Sequence, residues 1–110
     1  MARLTGEFEE SVLMAILHLG NDTYGVPLRR RLEEVTGRMV SIGALYTTLD
    51  RLEQKGFVSS RQSEPTPERG GRSKRYFKVT GLGEMALAEK QAARERIHSG
   101  LVLRPAGGAA

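Results

Sequence analysis

Apolar residues recur at helical spacing near the start of the chain, in a stripe that Gly20 ends. The stripe consists of Phe8, Val12, Ala15, Ile16 and Leu19. Thr5 precedes it as a candidate N-cap, and three glutamates follow in the first turn, where the positive end of a helix dipole favours them. This pattern predicts a first amphipathic helix.

A second helix is predicted after a short polar connection. Asn21, Asp22 and Thr23 form that connection and supply candidate capping side chains. The helix itself spans residues 24–35, and Gly37 closes it as a left-handed cap.

The third predicted helix, residues 41–55, has two contrasting faces. Ser41 caps it and Gly56 ends it, and its apolar stripe contains Ile42, Leu45, Leu49 and Leu52. The other side carries small and polar residues that would allow close approach to a flat polar partner: Ala44, Thr47, Thr48 and Arg51. An ordinary solvent-facing helix has the same composition, so this pattern alone leaves both interpretations open.

Beyond Gly56 the pattern changes from helical to alternating. Residues 57–62 and 74–79 predict two strands, and Phe77 and Val79 are expected on the core face of the second. The intervening residues contain two prolines and two glycines, which predict a long hairpin loop.

A final helix is predicted over residues 81–99, with Thr80 as its cap. One broad side of it carries small and apolar residues: Leu82, Met85, Ala86, Ala92, Ala93 and Ile97. No other predicted element is left to cover that whole side, so the helix is a candidate for dimerisation. The residues that follow predict a loose tail.

Length and composition indicate one small domain. The chain has 110 residues, of which 39% are hydrophobic and 27% charged. A domain of this size buries roughly two thirds of its unfolded surface, so we expect a homodimer.

The absence of cysteine excludes disulfides, thiolate metal sites and cysteine nucleophiles. No apolar run reaches the ~20 residues of a spanning helix and no secretory signal is visible, so we expect a cytoplasmic protein.

Positive charge is concentrated in the middle of the chain. Residues 24–80 carry a net charge of +6, whereas the remainder carries −2. The hairpin and its loop hold two glutamates and six cations, namely Arg61, Arg69, Arg72, Lys74, Arg75 and Lys78. Such a surface suits the phosphates of nucleic acid, although charge on a hairpin can equally protect its strand edges.

The element order is helix, helix, helix, two-stranded hairpin, helix, which is that of a winged helix-turn-helix domain. We therefore expect a mainly α fold with one β-hairpin. The winged helix-turn-helix would span residues 1–80, a C-terminal dimerisation helix residues 81–103 and the tail residues 104–110. In this fold the third helix enters the major groove, where Arg51 could reach a phosphate or a guanine edge.

Three motifs resemble, in order and spacing, the PadR family of transcriptional regulators. They are Tyr24-Gly25, the run SIGALYTTLDRLE at residues 41–53 with the glycine and apolar strand that follow, and GRSKRYFKVT at residues 71–80. The length is similar to the short branch of the family, which has a single C-terminal helix. Thr47 stands where the family usually has proline, and the tryptophan that some short members use in a drug-binding cavity is absent.

The resemblance implies a dimeric repressor that binds a palindromic operator in double-stranded DNA. With the residue analysis above, it places these residues at the groove: Ser41, Ala44, Tyr46, Thr47, Thr48 and Arg51. Phosphate and wing contacts fall on Tyr24, Arg69, Arg72 and Lys74. The dimer interface, formed in this family by the first and last helices, falls on Phe8, Val12, Leu82, Met85, Ala92 and Ile97. A small-molecule effector would be of unknown identity.

The main alternative is a winged helix that binds another protein and not DNA. The basic hairpin and the small-residue face of the third helix favour DNA.

His18 and His98 lie on different predicted helices without cysteine nearby, so they do not predict a metal site. Adjacent glutamates point about 100° apart on a helix and do not predict an acid–base couple. We expect no cofactor and no enzymatic activity.

Overall fold

The computed structural model describes residues 6–64 and 73–100. In chain order the elements are α1 (Glu7–His18), α2 (Gly25–Thr36), α3 (Ile42–Gln54), β1 (Val58–Gln62), β2 (Arg75–Val79) and α4 (Gly81–Ser99). Strands β1 and β2 pair antiparallel, with Val58 opposite Val79 and Ser60 opposite Phe77. The predicted fold class, mainly α with a two-stranded hairpin, is confirmed.

One hydrophobic core joins the first three helices to the hairpin. Most residues of the apolar stripes of α1 and α3 meet there with Leu28 and Leu32 of α2, and Phe77 and Val79 point inward from β2 as predicted. Ile42, which we expected in the stripe of α3, is instead 45% exposed. The largest fully buried side chains are Phe57, Phe77, Leu13, Ile16, Leu28, Leu32, Leu45, Leu49, Leu52 and Val12. The core therefore holds α3 by one side only and leaves its other side to solvent.

The caps of α3 and α4 follow the sequence prediction. Ser41 Oγ accepts a hydrogen bond from the backbone N–H of Ala44 at 3.0 Å. Thr80 Oγ1 accepts from the backbone N–H of Gly83, also at 3.0 Å. Each hydroxyl satisfies an N–H that the first helical turn leaves without an intrahelical partner.

The caps of α1 and α2 differ from the prediction. Gly6 is the N-cap of α1; Thr5, which we expected there, lies outside the described residues. Tyr24 is the N-cap of α2, without a side-chain hydrogen bond. At the other end of α2, Gly37 adopts the predicted left-handed conformation, with φ of 68°.

The connection before α2 joins the hairpin instead of capping the helix. Thr23 and Phe77 exchange two backbone hydrogen bonds, with N–O distances of 3.2 and 2.7 Å. Asn21, at φ 58°, accepts the backbone N–H of Val79 on its Oδ1 at 2.7 Å. The side chain of Asn21 and the backbone of Thr23 therefore bind β2, and they fasten the base of the hairpin to the start of α2.

Helix α4 consists of a packed half and an exposed half. At Gly83, an added Cβ would lie 2.2 Å from the carbonyl oxygen of Phe57, so only glycine allows this close approach. Leu87 is the last buried residue of the helix. From residue 88 to residue 99 none is buried. The far end of α4 is held to α1 through the ion pair between Arg94 and Glu10.

Candidate nucleic-acid interface

The turn between α2 and α3 is held by two side chains of α2. Arg29 donates from Nε to the carbonyl oxygen of Val40 at 2.8 Å. Glu33 accepts the backbone N–H of the same residue at 2.9 Å. Because both backbone groups of Val40 are satisfied by α2, the angle at which α3 leaves the turn is defined by the preceding helix.

A stripe of exposed residues runs along α3, opposite its buried leucines. Gly43, Thr47, Asp50 and Gln54 follow each other at steps of four, three and four residues, and all are exposed. The predicted residues Ser41, Ala44 and Arg51 are exposed as well. The stripe combines short side chains with hydroxyl and amide groups, which can approach base edges closely and form hydrogen bonds with them.

Thr48 does not belong to this exposed surface. Its relative exposure is 6%, and it lies among the core residues of α3. The prediction that Thr48 lies on the exposed side is therefore wrong. The spacing could have shown this, because Thr48 is three residues after Leu45 and four before Leu52, which are both buried.

Tyr46 is half-buried and links α3 to the start of α2 and to β2. Its ring makes an edge contact with Phe77 at a centroid distance of 6.1 Å. Its hydroxyl oxygen would lie 2.4 Å from a Cβ at position 25, which explains why glycine follows Tyr24. Tyr46 thus packs at the side of the helix, outside the exposed stripe.

Aromatic rings and cations form a stack between α2 and the hairpin. The Tyr24 and Tyr76 ring centroids are 5.4 Å apart. Lys74 Nζ lies 4.4 Å from the centroid of Tyr24, and the guanidinium of Arg61 lies 4.7 Å from that of Tyr76. These cation–π contacts hold long, flexible side chains in defined positions on one surface.

The described cations of the hairpin, together with Arg51 of α3, fall into two groups. Arg61 is paired with Asp22 at 2.9 Å, and Arg75 is paired with Asp50 and Glu53 of α3. Exposed cations that form no ion pair within residues 6–64 and 73–100 include Lys74, Lys78 and Arg51. Arg69 and Arg72 lie outside the described residues. Sequence reasoning counted all hairpin cations alike, because their acidic partners are more than twenty positions away along the chain.

Arg75 remains cationic in this setting. Burial lowers the pKa of its guanidinium, but hydrogen bonds and charge from Asp50 and Glu53 outweigh burial and raise the pKa above its ordinary value. The arginine therefore keeps one positive charge beside the two carboxylates of α3 at any working pH.

Comparison with known proteins decides the family. Residues 12–89 match the model of the transcriptional regulator PadR-like family. The chain belongs to this family. It is 36% identical over 94 residues to the transcriptional regulator Rv3488 of Mycobacterium tuberculosis, a match that covers 83% of each chain. This PadR-like chain is thus a transcriptional regulator and not an enzyme.

Solved structures agree with the assignment. A PadR-like transcription factor from Bacteroides fragilis is 26% identical, with a TM-score of 0.66 over 81% of this chain and 82% of that one. F93 from STIV, a winged-helix DNA-binding protein, has a TM-score of 0.67 at 17% identity and covers 91% of this chain and 100% of its own. The second likeness shows that the PadR-like chain has the winged-helix fold.

The residues predicted for a dimer interface separate into two classes in the PadR-like structure. Val12 is fully buried in the core of its own subunit and is not available to a second one, so that prediction is wrong. Phe8 packs partly against the same core. On α4, Met85 and Ile97 are both 67% exposed, Leu82 is also exposed and Ala92 is half-exposed.

The described parts of the PadR-like chain hold neither a cluster of metal-ligating side chains nor a membrane-spanning helix. Residues 6–64 and 73–100 contain no group of three or more side chains placed to ligate a metal. Within the same residues, no helix has the length and apolar character that crossing a membrane requires.

Proposed function

We propose that this PadR-like regulator binds double-stranded DNA as a homodimer and represses transcription from a palindromic operator. One observation carries the proposal: the exposed polar stripe of α3 adjoins a basic hairpin that is fastened to α2 and α3. A helix of this kind fits the major groove, while cations beside it meet the flanking phosphates.

The proposed phosphate contacts come from side chains that are exposed and not neutralised by described residues. Lys74 is held on the ring of Tyr24, at the start of α2, where backbone N–H groups also favour an anion. Lys78 projects from β2 as an exposed cation. Arg69 and Arg72, although outside the described residues, would add to this set.

The proposed base contacts come from the exposed stripe of α3. Ala44 and Thr47 permit close approach, and the hydroxyl of Thr47 can donate to or accept from a base edge. Arg51 would reach either a guanine edge or a phosphate from the same helix. Ser41 would lie at the first turn, where recognition helices contact DNA.

The proposed dimer forms through the exposed half of α4. None of residues 88–99 is fully buried in a single subunit, yet this region carries Ala92 and Ile97, and Leu82 and Met85 extend the apolar surface toward the packed half. A second copy of the helix would cover these side chains. A two-fold dimer presents α3 twice and therefore requires a palindromic site. Since its partner is chromosomal DNA, the proposed place of action is the cytoplasm.

Selection of bound duplexes from a random library tests the proposal. We expect a consensus with two-fold symmetry whose half-sites lie about one helical turn apart. A consensus without symmetry would contradict the dimer. Failure to enrich any duplex at low salt would contradict DNA binding and favour a winged helix that binds protein.

A further inference from the structure

Arg75 is the centre of a network that joins the hairpin to α3. Its Nη1 donates to Asp50 Oδ1 at 3.0 Å, its Nη2 donates to Glu53, and its Nε donates to Ser60 Oγ at 3.2 Å. Ser60 in turn donates to Glu53 at 2.8 Å. The guanidinium also lies over the Phe77 ring, 4.9 Å from its centroid. Every donor nitrogen of the arginine thus has a partner inside the protein.

The two carboxylates present a problem for a helix that binds DNA. The side chain of Asp50 is 57% exposed, and it belongs to the same stripe as Thr47. Glu53 lies one helical turn further along, with its side chain 37% exposed. Like charges placed against each other at an interface are strongly unfavourable, so uncompensated carboxylates here would oppose the approach of phosphates.

We infer that Arg75 is a positioning residue that supports DNA binding through Asp50 and Glu53 and does not itself contact DNA. Its single positive charge offsets part of the negative charge of the two carboxylates, and its hydrogen bonds keep both turned toward the hairpin. This role rests on the proposed function, and it distinguishes Arg75 from Lys74 and Lys78, whose charge remains available to phosphates.

A double-mutant cycle tests the inference, with binding measured on the selected duplex and on a random-sequence duplex. Arg75→Met is introduced into the natural chain and into an Asp50→Asn, Glu53→Gln background. In the natural background we expect affinity to fall about ten-fold or more. In the Asp50→Asn, Glu53→Gln background, the two carboxylates are absent. We therefore expect Arg75→Met to change affinity there by less than about two-fold.

Lys78→Met is the matched control, because Lys78 lies on the same strand and forms no ion pair with the described residues. We expect it to weaken binding by the same factor in both backgrounds. If Arg75→Met also weakens binding equally in both backgrounds, Arg75 contacts phosphate directly and the inference is wrong.

A purely structural role has a different signature. If the network only held the hairpin in place, the Asp50→Asn, Glu53→Gln protein would bind as poorly as Arg75→Met. We expect it instead to bind the random duplex at least as tightly as the natural chain.

Thermal unfolding is recorded for each variant. If Arg75→Met is unfolded, Arg75→Gln completes the same cycle with the same expected coupling. If the natural chain binds neither duplex, the proposed function fails, and the role of Arg75 fails with it.

Discussion

The surface formed by α3 and the hairpin differs from the exposed half of α4 in how much of it the subunit itself determines. The first surface is held by the hydrogen bonds of α2 to Val40, by the ring contact between Tyr24 and Tyr76 and by the network around Arg75. None of residues 88–99 of α4 is fully buried, and they are tied to α1 through Arg94 and Gln91. The side chains of the first surface are therefore positioned within the chain itself, whereas α4 leaves apolar side chains exposed to solvent.

This difference separates two kinds of recognition. A preformed polar surface can bind a rigid duplex without a large ordering cost, because its side chains are already positioned. An exposed apolar helix gains by burying its surface against a copy of itself. We conclude that changes on α4 should act on assembly, while changes on α3 and the hairpin should act on DNA.

The largest expected effect comes from breaking the α4 surface. Met85→Glu combined with Ile97→Glu places charges on two residues that are 67% exposed, so the subunit should still fold while the dimer dissociates. Loss of the link between half-sites should reduce affinity for the symmetric duplex by about a thousand-fold. Analytical ultracentrifugation and binding titration measure the two effects. Met85→Leu with Ile97→Leu is the control and should remain dimeric. If the double glutamate variant is still a dimer, the assignment of the interface to α4 is wrong.

A smaller effect is expected where α4 meets the hairpin. Gly83→Ala would bring a Cβ to 2.2 Å from the Phe57 carbonyl oxygen, and we expect the free energy of unfolding to fall by about 3 kcal/mol. Gly81→Ala is the matched control, because a Cβ there meets nothing within 4 Å. Chemical denaturation of both variants measures the difference. Equal stabilities would show that the packed half of α4 is as loosely held as its exposed half.

The smallest expected effect concerns one residue of the exposed stripe. Thr47→Ala removes a hydroxyl from the proposed groove surface and should reduce discrimination between the selected and a random duplex by about ten-fold. Lys74→Ala should instead lower the affinity for both duplexes by the same few-fold factor, because phosphates carry no sequence information. Competition binding with the two duplexes separates these outcomes. Indistinguishable profiles for the two variants would contradict the division between base and phosphate contacts.

Local sequence patterns predicted most of the fold. The helical stripes apart from Ile42, the alternation of Phe77 and Val79 and the caps at Ser41 and Thr80 depend on residues close in sequence, and they were confirmed. The family resemblance was confirmed as well. The helices, the strand alternation and the two caps share one property: residues close in sequence decide them.

Features that depend on distant residues were not predicted. Val12 and Phe8 belong to one apolar stripe, and periodicity cannot tell which of them faces the subunit core and which keeps exposed surface. The pairing of Arg61 with Asp22 and of Arg75 with Asp50 depends on how the hairpin folds back, so counting charges overestimated the free basic surface. The attachment of Thr23 to Phe77 was missed for the same reason.

The salt dependence of binding to the selected duplex tests the central claim most directly. If a dimer neutralises about six to eight phosphates, a plot of log affinity against log salt should have a slope of roughly −5 to −7. A slope near zero would contradict the account, because it would mean that the cations of the hairpin and α3 do not meet the DNA backbone.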